Sequence, residues 1–336
     1  MSTNSPGASG ASVLSSVPPV EEIIQLACRA PSVHNTQPWR WRGRDSTVDL
    51  FADYTRQLVY ADPTRRDLMI SCGAALHHLQ VAAAGFGWAA RVTRFPDPSD
   101  ERHVATITLK PSGESAPDQG PVHAIGIRRT DRRTPTSWPV PEDRLNGLAA
   151  TGRLWGAQIL PVTGDAAKAR LQELTRQAAR IQQQNPRYID ELAGWTGGSV
   201  DAGVPRENVT GRGGRDSRDP AFSRFPAGGL ADPVLETEPS QDGMLIVCTS
   251  SDDAVSRVRG GEALSAIWLQ ATQDNLSVLP LSQAVEVEET RRTLQREVLG
   301  DRVCPQILLR VAWLPGARSD LPPTPRRPLD EVLTRE

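Results

Sequence analysis

Lysine is nearly missing from this chain: of its 38 basic residues in 336, only Lys110 and Lys168 are lysine. Positive charge is therefore carried by arginine, whose planar fork of donors suits phosphate and carboxylate. The 40 acidic residues leave a formal net charge of -2. That balance excludes a domain-wide basic footprint for nucleic acid and leaves room for a local anion site. Cysteine is scarce and scattered, at Cys28, Cys72, Cys248 and Cys304, with no C-x-x-C pair. A zinc cluster and a disulfide framework are both excluded, and buried thiols in a reducing compartment are expected. Long apolar runs are absent too. Residues 79–90 are the most apolar stretch and fall short of the roughly 20 residues that a spanning helix needs. Neither G-x-x-x-x-G-K nor G-x-G-x-x-G occurs, so no nucleotide-binding loop is indicated. No membrane association is expected, and the location is read as cytoplasmic. Residues 1–20, rich in Ser, Pro, Gly and Ala without a basic start, read as a disordered tail and not a signal peptide.

What is present builds a globular protein. The apolar set is 38%, and with glycine it reaches about 46%, enough for a real core. Helices are expected over 20–30, from Asp62-Pro63 to about Phe86, and over 122–129, 142–150, 165–183, 255–273 and 288–299. Strands are expected over 47–52, 89–95, 104–109, 158–162, 243–249 and 306–313. Asp62-Pro63 supplies an N-cap and a first-turn proline. From 184 to 241 the periodicity breaks down among glycines and prolines, the mark of a functional flap or a disordered insertion. One internal echo stands out. G-A-A-L-H-H-L-Q-V from Gly73 aligns with G-E-A-L-S-A-I-W-L from Gly261, and at the same offset Gly87 falls on Asn275. Both of the latter suit a left-handed helix end. We read the echo as two related halves, against the alternative of two ordinary amphipathic helices.

Three constellations carry chemistry. The run A-P-S-V-H-N-T-Q-P-W, from Ala30 to Trp39, is either a capped loop or a polar rim for a flat heterocycle. His34 alone indicates no nucleophilic catalysis. The run R-R-T-D-R-R, from Arg128 to Arg133, is either a solvated basic turn or a phosphate grip, with Arg132 beside a group that becomes anionic on reduction. The third, T-P-R-R-P-L-D-E-V from Thr324, is stiffened by prolines on both sides of its arginine pair. Two arginine pairs far apart in sequence can converge on one dianion.

Together, P-S-x-x-N-x-Q-P-W, R-R-T-D-R and R-R-P-L-D-E-V resemble the nitroreductase family of flavoproteins. The order of these parts, with a Gly-rich insertion, resembles its Acg-type branch from about Glu21 to Val332. The resemblance implies an α+β nitroreductase-like fold whose two related halves form an intramolecular pseudo-dimer with a Gly/Pro-rich lid. The implied division is a tail (1–20), a first half (21–121), the first part of a second half (122–183), a lid or insertion (184–241), and the remainder with a C-terminal arm (242–336). It implies FMN as cofactor and NAD(P)H as electron donor to a nitro- or quinone-type acceptor. Arg128, Arg129, Thr130 and Arg132 would hold the ribityl phosphate and the pyrimidine edge. Pro31, Ser32, Val33 and Asn35 would come from the opposing half, and Arg326 and Arg327 would close on the phosphate. Leu281 and Ser282 stand where the family's backbone approaches flavin N5, in place of the usual Glu-Gly pair. The first half has no arginine turn ahead of Glu21, and the second reads Thr151-Gly152-Arg153-Leu154-Trp155 where the loop would recur, so one flavin site is implied. The chain would be a monomer or weak homodimer acting on a small molecule. Sequestration of flavin beneath the lid, with Tyr188, Trp195, Phe222 and Phe225 as cover, is the rival to turnover, and a flavin-free scaffold a third reading.

Overall fold

Charged and apolar residues alternate along Trp39–Arg44 (β1), whose arginines point outward while Trp39, Trp41 and Gly43 are buried. A two-residue turn, with Asp45 in the left-handed region at φ 48°, returns the chain into Thr47–Ala52 (β2), its antiparallel neighbour. The structure is a computed structural model, which describes residues 17–113, 117–197, 200–211, 224–225, 228–231, 242–314, 316 and 318–336. The tail expected over 1–20 thus lies outside the described residues as far as residue 16.

First in chain order come Val20–Ala27 (α1), the β1–β2 hairpin, Arg66–Gly85 (α2), Trp88–Arg94 (β3) and His103–Pro111 (β4). Gly120–Ile127 (α3) and Glu142–Arg153 (α4) lead into Gln158–Val162 (β5), Asp165–Gln183 (α5) and Pro186–Gly194 (α6). Gly243–Thr249 (β6), Ala254–Gln273 (α7) and Leu276–Leu281 (β7) follow, then Gln283–Glu286 (α8), Glu288–Glu297 (α9) and Cys304–Trp313 (β8). The chain closes with Leu329–Val332 (α10) and Leu333–Arg335 (β9).

The two sheets share one strand order: β3-β4-β2-β1 in one and β7-β8-β6-β5 in the other. Every one of these pairings is antiparallel. The first sheet gains a fifth strand, β9, parallel to β1 with Trp41 opposite Leu333. Strand β6 is buried along its whole length. Leu245 and Val247 pack toward α4 and α7, while Met244, Ile246 and Cys248 pack toward α5 and α8. Coverage of both faces explains why β6 reads as a continuous apolar run.

Helices α2 and α7 form the centre of the molecule. Both are buried nearly all round, as their weak polar faces demand. Among the described residues α2 alone is long and apolar enough to cross a membrane, and 78% of that window is buried within the protein. The two helices touch through glycine. A Cβ on Gly73 would overlap the carbonyl oxygen of Val258, and one on Gly261 would overlap that of Ile70. The two contacts are reciprocal: Gly261 lies 188 residues beyond Gly73, and Val258 188 beyond Ile70. Beside them His77 Nδ1 and Ser265 Oγ, 188 residues apart like the two glycines, lie 2.7 Å from each other. Gly87 at φ 80° and Asn275 at φ 58° end the corresponding helices in the left-handed region. All four cysteines are free, and Cys28, Cys72 and Cys248 are buried.

Several elements differ from expectation. Helix α2 begins at Arg66, not at Pro63, with Arg65 at φ 57° ahead of it. Asp62 still caps it, from four residues upstream, by accepting from Arg66 N at 2.7 Å and Leu68 N at 2.9 Å. Strand β1 lies where no strand is expected, its alternation hidden by an exposed face that is all arginine, and β7 is likewise unexpected because Pro280 sits within it. Helix α6 lies where no periodicity was seen, started by the Asn185 side chain accepting from Arg187 N at 3.1 Å and by Pro186 at its first position. Gly73→Ala and Gly261→Ala are each expected to lower stability by about 1–3 kcal/mol through overpacking. Gly147→Ala, on the exposed face of α4 with open space around it, should raise it by about 0.5–1 kcal/mol. Chemical denaturation of the three variants checks both signs.

Candidate functional site

A cavity of about 500 Å³ opens over the packed helices α2 and α7, within the roughly 300–1,000 Å³ typical of small-molecule and cofactor sites. Its floor is the buried pair of helices, through Ile70 and Ser71 of α2 and Leu264 and Trp268 of α7. The loop after α1, the turn after α3, the end of β7, part of the insertion and the C-terminal arm form its walls. All twelve residues singled out from the sequence line it: Pro31, Ser32, Val33, Asn35, Arg128, Arg129, Thr130, Arg132, Leu281, Ser282, Arg326 and Arg327.

The loop after α1 is held in an unusual backbone shape. His34, Asn35 and Gln37 have φ of 44°, 56° and 50°, a region that non-glycine residues seldom adopt. Side chains compensate. Ser32 Oγ accepts from Gln37 N at 3.0 Å, and Val33 N donates to Ser71 Oγ at 3.1 Å. Asn35 Nδ2 donates to Gly203 O and Pro325 O, both at 3.0 Å, while Asn35 Oδ1 accepts from Arg326 Nη1 at 3.0 Å. One amide thereby ties the loop, the insertion and the arm together. Gln37 repeats the device, donating to Asp201 O at 2.7 Å and accepting from Arg327 N at 2.9 Å.

Seven arginines line the cavity, against a single carboxyl group, that of Asp67. Arg128 is 5% exposed and lies over the Trp268 ring at 4.5 Å. Its Nη2 donates to Arg29 O at 3.0 Å, but its Nε has no partner. Burial pushes its pKa well down, and the neighbouring guanidiniums of Arg326, Arg129, Arg29 and Arg318 push the same way. Arg326 falls to about 10, by burial and then Arg29, and its Nε is likewise unpartnered. Arg129 Nη1 bonds the carbonyls of Gly126 at 3.1 Å and Arg128 at 2.9 Å. Guanidiniums crowded in this way, short of countercharge, are costly unless an anion joins them. A dianion, gripped by forked donors, is what this end of the cavity can hold. Arg327 is different: its Nη1 lies 3.7 Å from Asp53 Oδ2 and its Nε 3.5 Å from Glu331, so its charge is already balanced.

The other end is built around Arg224, from the insertion. Its Nη1 pairs with Glu286 at 2.8 Å and its Nη2 donates to Ser282 Oγ at 3.1 Å. Its Nη1 also lies 3.2 Å from His34 Nε2. Burial and then Arg224 push the His34 pKa down to about 3, so the imidazole is neutral. Between the two ends Arg132 sits over the Phe225 ring at 5.0 Å and donates to Asn208 O at 3.2 Å. Burial lowers it to about 10, and it stays a cation at neutral pH. Asn208 donates to Pro322 O at 2.6 Å and leaves its Oδ1 unpartnered.

Arg29, Asp67, Asn208, Arg224 and Trp268 were not read from the sequence. Trp268 falls on the helix of the internal echo, but Arg224 lies in a stretch with no pattern at all. Of the aromatics expected in the insertion, Tyr188 packs with Leu58 and Ala61 beside Val33 and Trp195. Phe225 packs with Val204 and Val209 and meets His34 edge-on at 5.4 Å. Phe222 lies outside the described residues.

No protein-family model matches the chain. A curated relative from Mycobacterium tuberculosis (strain ATCC 25618 / H37Rv), named "Putative NAD(P)H nitroreductase Rv3131", is 41% identical over 319 residues, spanning 94% of this chain and 90% of the relative. Another from the same organism, "Putative NAD(P)H nitroreductase acg", is 34% identical over 320 residues, spanning 94% and 95%. Among solved structures, the FMN and NADPH-dependent nitroreductase NfnB from sphigopyxis sp. strain HMH is 17% identical. It covers 64% of this chain and 97% of its own at a TM-score of 0.42, too low to bear on the site.

Inorganic phosphate should raise the melting temperature of the purified chain with the logarithm of its concentration, adding about 2.7 kcal/mol of stability at 100 times its Kd. Arg128→Met and Arg326→Met are each expected to weaken that response. Calorimetric melts across a phosphate series read it directly.

Proposed function

The chain belongs to the nitroreductase family, in its Acg-like branch, and from that premise we propose that it is an FMN-binding oxidoreductase transferring two electrons from NAD(P)H to a nitro- or quinone-type acceptor. The observation that carries this reading is the cluster of Arg128, Arg129, Arg326 and the exposed Arg29: Arg128 is buried, Arg128 and Arg326 have orphaned Nε atoms, and burial with crowding lowers the pKa of Arg128, Arg129 and Arg326. A phosphate dianion matches that cluster, and a flat heterocycle matches the apolar walls of Ile70, Leu264, Leu279 and Phe225.

Arg128, Arg129 and the Thr130 hydroxyl hold the phosphate, joined by Arg326 and Arg29. Arg327 locks the arm onto Gln37 and Asp53. Pro31, Ser32, Val33 and Asn35 supply the rim from the first half, and Leu281 and Ser282 line the opposite wall. Bound FMN supplies the two-electron exchange that no side chain here can perform. Arg132 sets a fixed cation beside the pyrimidine edge and favours the more negative, reduced form.

This reading makes residues 21–121 one half and residues 122–183 with 242–336 the other, packed as an intramolecular counterpart of a homodimer. The common strand order and the reciprocal glycine contacts support it. Loop and arginine turn survive once each: α4 runs into β5 through Trp155 and Gly156, at φ 81°, with no room for a second loop. One flavin per chain follows. The insertion, 184–241, serves as a cover. A specific observation favours a second reading, sequestration with little turnover: α6 lays Tyr188 and Leu192 against the Val33 loop, and Glu191 accepts from Ala61 N at 2.9 Å.

Adding FMN should give a yellow protein with one flavin per chain, read by absorbance after desalting. A protein that stays colourless sinks both readings. Rapid bleaching on mixing with NADPH identifies turnover, and slow or absent bleaching identifies sequestration. Arg132→Ala is expected to make the two-electron potential of bound FMN more negative, by about 30 mV for each 1.4 kcal/mol of lost stabilisation. An unchanged potential removes Arg132 from this role.

A further inference from the structure

At the end of the cavity away from the arginine cluster, three carboxyl groups converge where α2 begins. Asp62 is tied to the backbone of α2, and Glu286 is paired with Arg224. Asp67, in the first turn of α2, lines the cavity, is 5% exposed, and has an Oδ2 without any hydrogen-bond partner. Its backbone carbonyl accepts from Ser71 Oγ at 2.6 Å, and that hydroxyl accepts from Val33 N, so the first turn of α2 is tied to the loop after α1.

The cations near Asp67 are engaged elsewhere. Arg66 turns to Asp252, Pro305 O and Gln306, and Arg224 is held by Glu286 and Ser282. The neighbouring His34 is neutral. Burial raises the Asp67 pKa well above the usual carboxylate range, Glu286 and Asp62 raise it further, and Arg224 and Arg66 oppose more weakly. Arg128, over the Trp268 ring, takes its leading charge influences from Arg326, Arg129, Arg29 and Arg318, whereas those on Asp67 are Glu286, Asp62, Arg224 and Arg66.

We propose that Asp67 is a general acid of this site, donating the proton that a quinone takes up along with two electrons. The inference rests on the oxidoreductase reading above and assigns it a residue. A quinone becomes a hydroquinone by gaining one hydride and one proton. Bound FMN, once reduced, would supply the hydride, and Asp67 supplies the proton. The carboxyl O–H breaks, an O–H forms on the quinone oxygen, and Asp67 is left as a carboxylate beside Glu286 and Asp62. Crowding by those acids favours return of a proton from water before the next cycle. A buried neutral acid performs this task where the cover keeps solvent out.

Asp67→Asn keeps the shape and neutrality of the side chain and removes the acidic proton. Infrared spectra of the flavin-free protein at neutral pH should contain a protonated-carboxyl band that vanishes in this variant. Loaded with FMN, the variant should bind flavin as the wild type does and be reduced normally. Its reoxidation by 1,4-benzoquinone should slow by about 10²-fold or more, the usual share of general acid catalysis. Wild-type reoxidation should slow as pH rises through the raised pKa and should be slower in D2O, and the variant should lose that pH dependence. Absence of the carboxyl band, equal wild-type rates in H2O and D2O, or wild-type kinetics in the variant each overturn the proposal. The spectra and the isotope comparison use wild-type protein, so they decide the matter even where the variant fails to fold. A wild-type chain that takes up no FMN overturns the oxidoreductase reading and this inference together; one that binds and reduces FMN, with an unaffected variant, overturns only the inference.

Discussion

The close approach of α2 and α7 is the constraint on which the rest of the architecture depends. Each helix contributes a glycine at the point where the other's carbonyl group comes nearest, so no side chain separates the two backbones. The cavity lies over that contact: its floor is made of both helices, and its walls come from the loop after α1, the turn after α3, the end of β7 and the C-terminal arm. A shift between the helices would move Ser71, which positions the Val33 loop, relative to Trp268, which lies beneath Arg128. Packing in the core thus sets the geometry of a polar site that looks remote from it.

Charge is distributed along the cavity with a clear polarity. At one end guanidiniums crowd together without enough acid; at the other, acids crowd together beside Arg224, with Arg66 turned to Asp252. Both arrangements oppose folding, since each gathers like charges in a poorly solvated place. Proteins retain such clusters where a site needs its groups held away from their ordinary protonation states. The hydrogen bonds of Asn35 and Gln37 offset part of that cost. Each reaches across two other segments, and the strained backbone of their loop is held by what they join.

Long periodic elements were legible in the sequence because one face of each repeats: the observed bounds of β2, β5, α5 and β6 are those expected from pattern alone. What escaped notice had physical reasons. Arginines on the outer face of β1 masked its alternation, and Pro280 in β7 argued against a strand. The start of α2 was misplaced because Asp62 caps it across a turn, a bond that local spacing does not reveal. At the site, arginine pairs and the Ser-Asn-Gln loop could be singled out because each is a dense local run. Asp67 and Trp268 could not, since neither belongs to a local run of site residues and only the packing of α2 against α7 brings both to one cavity. Arg224 depends on where a patternless insertion lands, which no local rule describes.

Strand β9 gives the arm that carries Arg326 an anchor in the first sheet, through backbone pairing with β1. In chain order that arm follows every other wall of the cavity. During synthesis the loop, the arginine turn and the β7 wall are all made before the segment that encloses them. The site is therefore born with one side open, and the docking of β9 onto β1 is the step that shuts it. A ligand already resting among the first arginines at that moment would be sealed in as the nascent chain completes its fold.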